Sequence, residues 1–317
     1  TKTRALLDWL LVQAVGASPL FPPHYQSAAE ARTALLLVIR RDPRQCGHQR
    51  SRWSLRMVKE HCPWLLLNYQ SSLWRLLQRL DIHYKRGRDY VHSPDRHYDE
   101  KLSLIQLARM RAYYEPERFA FVYVDEFSYY RQPTLAQAFE AVGRFQPLAR
   151  RSHQSNTPHR VIGALNAFTG QVTYRQRSRI SRFAVADFWG QLRAAYPDVE
   201  CIYATIDNWP VHFHADALAP LQPQQLPWPP YVPPHWPTKS SGKASQDNLP
   251  IQLLCLPTYA SWLNPIEKLW RWLKQDVVHL HPFSDDWPLL KQQVACFLDQ
   301  FGDGSETLLR YVGLLGN

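Results

Sequence analysis

Nowhere in this 317-residue chain do apolar residues run together for the ~18 positions that a membrane-spanning helix requires, so no membrane partner is expected. No basic, apolar and small-residue signal pattern opens it either. The stretch ALLDWLLVQAVGA at 5–17 comes nearest, but Asp8 and the amphipathic spacing favour a helix. Cysteine is scarce: Cys46, Cys62, Cys201, Cys255 and Cys296 are odd in number, far apart and never in a C-x-x-C pair. That pattern argues against a disulfide framework and against a zinc finger, and it suits a reducing, cytoplasmic setting. No internal repeat at a solenoid period is present.

Apolar and aromatic residues are plentiful, with 45% hydrophobic content, 12 Trp, 16 Tyr and 13 Phe, enough to build a core in each of two domains. The net charge of +10 is unevenly spread. Residues 1–118 hold 20 Lys+Arg against 11 Asp+Glu, a balance of +9, whereas residues 119–317 hold 17 against 16, a balance of +1. Clustered cations on a folded segment suggest a polyanion such as nucleic acid, because neutralising phosphates releases counterions. A charge kept for solubility is the alternative.

The basic third reads as short helices with tight breaks: SAAEARTALLLVIRRDP, RWSLRMVKEHC, a break at PWLLLN, then YQSSLWRLLQRL. In the last, Leu73, Leu76, Leu77 and Leu80 form a buried stripe, with Gln70, Arg75, Gln78 and Arg79 mostly off it. Two helices joined by a few residues, the second presenting Arg and Gln, match a helix-turn-helix whose second helix enters the DNA major groove. Lys85, Arg86, Gly87 and Arg88 follow, where a basic arm would lie in the minor groove. An ordinary helical bundle with a plain basic linker would look similar. The expected organisation is an all-α DNA-binding region over 1–90, a linker and bridging helix over 91–118, and a second domain over 119–317.

From Phe119 the grammar changes to strands. FAFVYVDE, FSYYRQP and the hairpin VIGALNAFTGQVTYRQ precede a helix over about 181–195, then strands CIYATIDNW and IQLLCLP and a last helix. This order describes an α/β mixed sheet with flanking helices. Between the last two strands, at about 220–250, so many prolines accumulate that an extended surface excursion is expected, with a flexible tip at KSSGKASQ. Trp228, Tyr231 and Trp236 are candidates to pin its first half.

Three carboxylates stand at element ends. Asp125 ends VYVDE, Asp207 ends YATIDNW, and Glu267 opens the last helix. Asn264 reads as that helix's cap, Pro265 as its first residue and Glu267 as the partner completing a capping box. Ile266, Leu269, Trp270, Leu273 and Val277 form its apolar stripe. Three converging acids raise each other's pKa, and a pair of Mg²⁺ ions, with Mn²⁺ as substitute, would relieve this and clamp the oxygens of phosphoryl transfer. Each acid also has a plainer reading: a turn former at Asp207–Asn208, a cap at Glu267, or Glu126 in place of Asp125. His212 could touch a phosphate, or be a structural histidine.

Taken together, VDEFSYY, IDNWPVH and LPTYASWLNPIEKLWRWLK resemble, in order and wording, the three catalytic blocks of DDE transposases of the Tc/mariner superfamily, bacterial insertion-sequence branch. The resemblance spans roughly residues 40–282, and its third block is the specific one. It implies an RNase H-like catalytic domain and a helix-turn-helix region that binds terminal inverted repeats. It also implies cut-and-paste movement into TA sites of target DNA by a homodimer or larger assembly. Asp125, Asp207 and Glu267 would then be the metal-binding triad, with Asn208, His212 and Asn264 as accessory residues. Two features depart from the family. Its spacer between the second and third acids is short, and residues 1–26 are too few for a complete first helix-turn-helix. Rival readings are a DNA-binding descendant that no longer cuts, and another RNase H-like nuclease or resolvase.

Overall fold

The computed structural model describes residues 28–85 and 93–315, and the chain divides into two compact units at Asp89/Tyr90. The helix expected at 5–17 lies outside the described residues. In the first unit, α1 (Ala28–Ile39), α2 (Leu55–His61) and α3 (Gln70–Arg79) enclose a core of Leu35, Val38, Val58, Cys62, Leu73 and Leu80. Each break has a local cause. Gly47, at φ +83°, closes a 3₁₀ turn over Pro43–Cys46, and Ser54 caps α2 by accepting from the Met57 N–H at 3.2 Å. On α3, Leu73 is fully buried, Leu76 and Leu77 are half-buried, and Gln70, Arg75 and Arg79 are exposed.

The second unit opens with α4 (Tyr98–Tyr114), whose Ile105, Ala108 and Ala112 pack into the core beneath the sheet, so this helix is built into the unit it precedes. Then come β1 (Phe119–Tyr130), β2 (Pro158–Asn166), β3 (Val172–Arg177), α5 (Arg182–Ala195), β4 (Cys201–Ile206), α6 (Ala215–Leu218) and β5 (Ile251–Cys255). The unit ends with α7 (Ile266–Leu273), α8 (Trp287–Asp299) and α9 (Glu306–Val312). The sheet order is β3-β2-β1-β4-β5. β1–β2 and β2–β3 are antiparallel, and β1–β4 and β4–β5 are parallel. FSYYRQP is not a strand of its own: Phe127–Tyr130 continue β1, pairing Phe127 with Val161 and Tyr129 with His159 along the same ladder.

Alternation along β1 divides two cores. Ala120, Val122 and Val124 face α5, meeting Val185, Phe188 and Trp189, while Phe121, Tyr123, Phe127 and Tyr129 face α7, α8 and α4. The α7 stripe slips by one residue at its end. A π turn over Lys274–Val278 continues the helix, and its wider winding buries Val278 fully while Val277, which α-helical spacing predicts, packs half-buried against the same core.

The proline-rich excursion is tied down more than its composition suggests. Trp228 stacks on His97 with ring centroids 5.0 Å apart, and Trp236 packs against His214, whereas Tyr231 is exposed. Gln224 stands in for a neighbouring strand at the sheet edge: its Nε2 donates to Ile251 O and its Oε1 accepts from Leu253 N–H. The KSSGKASQ tip is anchored on buried Asp216, which accepts from both Ser240 and Ser241 hydroxyls and the Ser241 N–H.

Candidate active site

Asp125 belongs to the α7 side of β1 by alternation with Tyr123 and Phe127, and Glu126 to the α5 side with Val124. On the parallel neighbour the register pairs Tyr123 with Thr205. Continued by two residues, it sets Asp207, the residue after β4, beside Asp125. The parallel pairing of β1 with β4 therefore gives out at adjacent carboxylates, Asp125 within β1 and Asp207 just past the end of β4, at the C-terminal edge where open α/β sheets place ligands.

Glu267 lies in the first turn of α7, the helix that packs on that face. Its placement differs from the capping box expected from the sequence. Pro265 is the N-cap, and no side chain caps the helix. The Asn264 side chain instead reaches across to β1, where Nδ2 donates to Val124 O at 3.4 Å, while its buried Oδ1 is without a hydrogen-bond partner among the described residues. Asn264 thus joins the start of α7 to the peptide next to Asp125. Asn208 has a similar bracing role, donating from Nδ2 to Leu256 O at 2.8 Å and joining the ends of β4 and β5.

The electrostatics bind the three acids into one neighbourhood. Asp125 is pushed up to about 8, first by burial and then by the charges of Glu126, Asp207 and Glu267. Glu267 is raised by partial desolvation, with Arg271 opposing and Asp207 adding. Asp207 is lowered: burial would raise it, but His212 and the Trp209 N–H outweigh that. His212 is fully buried and lies between two acids, Nε2 at 2.8 Å from Glu126 Oε1 and Nδ1 at 3.3 Å from Asp207 Oδ1. The second approach lacks hydrogen-bond alignment. Burial alone would lower the His212 pKa, yet the two carboxylates raise it to about 10.

These contacts sort the candidate ligands. Glu126, Asp207 and His212 offer donor atoms within 4.8 Å of one another, the one such group of three among the described residues. His212 pairs with Glu126 and lies beside Asp207; in its charged form it would be their internal counter-ion and would have no lone pair for a metal. Asp207 Oδ1 accepts from Trp209 N–H at 2.9 Å, and Asp125 Oδ2 accepts from the Trp270 indole N–H at 3.0 Å. The second oxygen of each aspartate and the Glu267 carboxylate make no side-chain hydrogen bond among the described residues. An all-carboxylate donor set with mutual repulsion fits a hard divalent cation.

The predicted DNA-contacting residues are on the first unit. Gln70, Arg75, Arg79 and Lys85 are exposed and Gln78 is half-buried, while Arg86 and Arg88 lie outside the described residues. Sequence reasoning missed the contact of Trp270 with Asp125: the tryptophan registered only as one member of an apolar stripe. It also missed Gly163, which lies opposite Asp125 on β2.

Comparison with known proteins bears on this geometry. Residues 120–289 match the family described as DDE superfamily endonuclease. A 39 kDa protein of insertion element IS630 from Shigella sonnei is 23% identical over 263 residues, covering 82% of this chain and 68% of that protein. Among solved structures, the Mos1 mariner paired end complex with Mn is similar with a TM-score of 0.56 at 14% identity, over 94% of this chain and 78% of that one. The Mos1 transposase paired-end complex with left transposon end gives 0.55 at 14%, over 94% and 77%. At such identity the likeness is one of fold, the RNase H-like mixed sheet with its flanking helices.

Proposed function

The chain belongs to the DDE superfamily endonucleases, and from that membership we propose that it is a DNA transposase of the insertion-sequence kind. It cuts phosphodiester bonds at the ends of a DNA element and joins the freed 3′-OH to target DNA, in cut-and-paste fashion at TA sites. The observation that carries this reading is the convergence of Asp125 and Asp207 on adjacent parallel strands with Glu267 on the covering helix. Asp125, Asp207 and Glu267 would hold two divalent ions, Mg²⁺ or Mn²⁺, which would supply Lewis acidity for the nucleophile and the leaving oxygen.

The chain's own groups prepare that site. His212 and the Trp209 N–H hold Asp207 by one oxygen and leave the other for an ion. Trp270 does the same for Asp125. The first unit supplies DNA affinity, with Gln70, Arg75, Gln78, Arg79, Lys85, Arg86 and Arg88 toward the terminal repeats. The Mos1 structures are described as paired-end complexes, which supports a homodimer or larger assembly on two DNA ends here. Against a descendant that no longer cuts, all three acids are present in the chain, and Asp207 and Glu267 act electrostatically on Asp125.

The test is Mg²⁺- or Mn²⁺-dependent cleavage of DNA carrying the flanking ends of the protein's own gene, with Asp207→Asn and Glu267→Gln alongside. Metal-dependent cuts at those ends, lost in both variants while DNA binding persists, are expected. Binding without cutting by the wild type overturns the transposase reading in favour of a DNA-binding descendant. Better cutting of hairpin or junction DNA favours a resolvase.

A further inference from the structure

The Asp125 carboxylate is held by a neutral donor that comes from the same helix as Glu267. Trp270 Nε1 donates to Asp125 Oδ2 at 3.0 Å, and Trp270 is 4% exposed. An indole has one N–H and no acceptor, so it occupies one carboxylate oxygen and adds no charge. The ring is locked on two sides. Phe127, two residues along β1, stacks on it with centroids 5.6 Å apart and planes 15° from parallel. On the β2 side Gly163 leaves the room it fills: a Cβ there would lie 2.7 Å from Trp270 Cη2 and 3.2 Å from Cζ2. Gly163 is the register partner of Asp125, so the missing side chain is missing where the indole must pass to reach the carboxylate.

Trp270 and Glu267 are three residues apart on α7 and so share a helix face. One side chain therefore ties the acid on β1 to the helix that carries the third acid. Without it, the Asp125 carboxylate would lose its only side-chain donor among the described residues and keep just the backbone N–H of Glu126 to hold it among like-charged neighbours.

We propose that Trp270 is a positioning residue for divalent-cation binding: through the space left by Gly163 it fixes the Asp125 carboxylate in register with Glu267, leaving Oδ1 for the ion. This rests on the reading of Asp125, Asp207 and Glu267 as metal ligands. Partners that orient a ligand in this way typically alter metal affinity by roughly ten- to a hundredfold.

The experiment is Mn²⁺ binding to the full chain by calorimetry or electron paramagnetic resonance, for wild type, Trp270→Phe, Gly163→Ala and Asp125→Asn. Thermal unfolding and DNA-end binding are measured beside it. Trp270→Phe keeps an aromatic ring to stack on Phe127 and removes the donor together with part of the buried indole volume, whose cost the thermal unfolding measures separately. It is expected to weaken Mn²⁺ affinity about tenfold or more, to raise the Mg²⁺ concentration for half-maximal cleavage by the same factor, and to leave DNA binding unchanged. Gly163→Ala keeps every hydrogen-bonding group and displaces the indole, so it is expected to shift metal affinity the same way. If Trp270→Phe folds and binds Mn²⁺ as the wild type does, while Asp125→Asn loses binding, the positioning role is overturned and the triad stands. If Asp125→Asn also binds Mn²⁺ like the wild type, the triad assignment itself fails.

Discussion

Glu126 Oε1 and His212 Nε2 lie 2.8 Å apart on the face of β1 opposite to Asp125, so adjacent acids in one motif have different work. Glu126 is committed to a buried histidine, and through it to Asp207. Replacing it by Gln keeps a hydrogen-bonding group against His212 and removes the charge. Cleavage by Glu126→Gln is expected to fall roughly ten- to a hundredfold, the range for a residue that orients a ligand, and Asp125→Asn to fall to background. The opposite ranking in a metal-dependent cleavage assay would make Glu126 the ligand.

Asp216 supplies a pH dependence away from Asp125, Asp207 and Glu267. Burial would raise its pKa, but the Ser241 N–H, the Ser241 and Ser240 hydroxyls and Arg182 depress it to about 2, below the ordinary aspartate range. A depressed acid contributes stability that is fully present above its unfolded pKa and is lost as pH falls through the folded one. Protection of the tip at residues 239–246 should therefore hold from neutral pH to about 4 and decline toward pH 2, as read by amide hydrogen exchange. Asp216→Asn should free the tip already at pH 7, with faster trypsin cleavage after Lys239 and Lys243.

How far the sequence reaches is clear from particular residues. Asp125 and Asp207 were legible because each follows a short apolar run, and that pattern carries both the strand and the carboxylate after it. Glu267 was legible as a residue but not in its local setting: the N-P-I-E order spells a capping box, yet Asn264 is drawn across to Val124 O by the strand beneath it. The extension of β1 through Tyr130 was hidden because VDE looks like a strand end, and only pairing with β2 carries the strand through two acids. His212–Glu126 and Trp270–Asp125 join residues 86 and 145 positions apart, which no local periodicity encodes. Asp216 escaped notice for the same reason, since its partners lie on the far side of the proline-rich stretch.

Two glycines give opposite stability predictions. Gly170, at φ +70°, turns the β2–β3 hairpin against the chain entering α9, and a Cβ there would land on the Ser305 carbonyl oxygen. Gly170→Ala combines a left-handed backbone with a backbone clash and should cost about 2 kcal/mol or more. Gly190, inside α5, meets nothing within 4 Å, and Gly190→Ala should be stabilising by about 0.5–1 kcal/mol from helix propensity. Calorimetric melting of the two variants should move the second unit's transition in opposite directions.

Arg75 and Arg79 are exposed on α3 and make no hydrogen bond or ion pair among the described residues. Truncating them removes no core packing, because the helix is held by Leu73 on its other side. If these cations meet DNA phosphates, each contact contributes roughly 0.9 to the slope of log affinity against log salt. The double variant Arg75→Ala, Arg79→Ala should therefore flatten that slope by about 2 and weaken binding to all sequences alike. A loss confined to the terminal repeats, with the salt slope intact, would mean that these arginines read bases. Affinity titrations from low to physiological salt, on terminal-repeat and unrelated duplexes, separate the two. Melting of the first unit should be unchanged in either case, since neither side chain contributes to the core of Leu35, Val38, Val58 and Leu73.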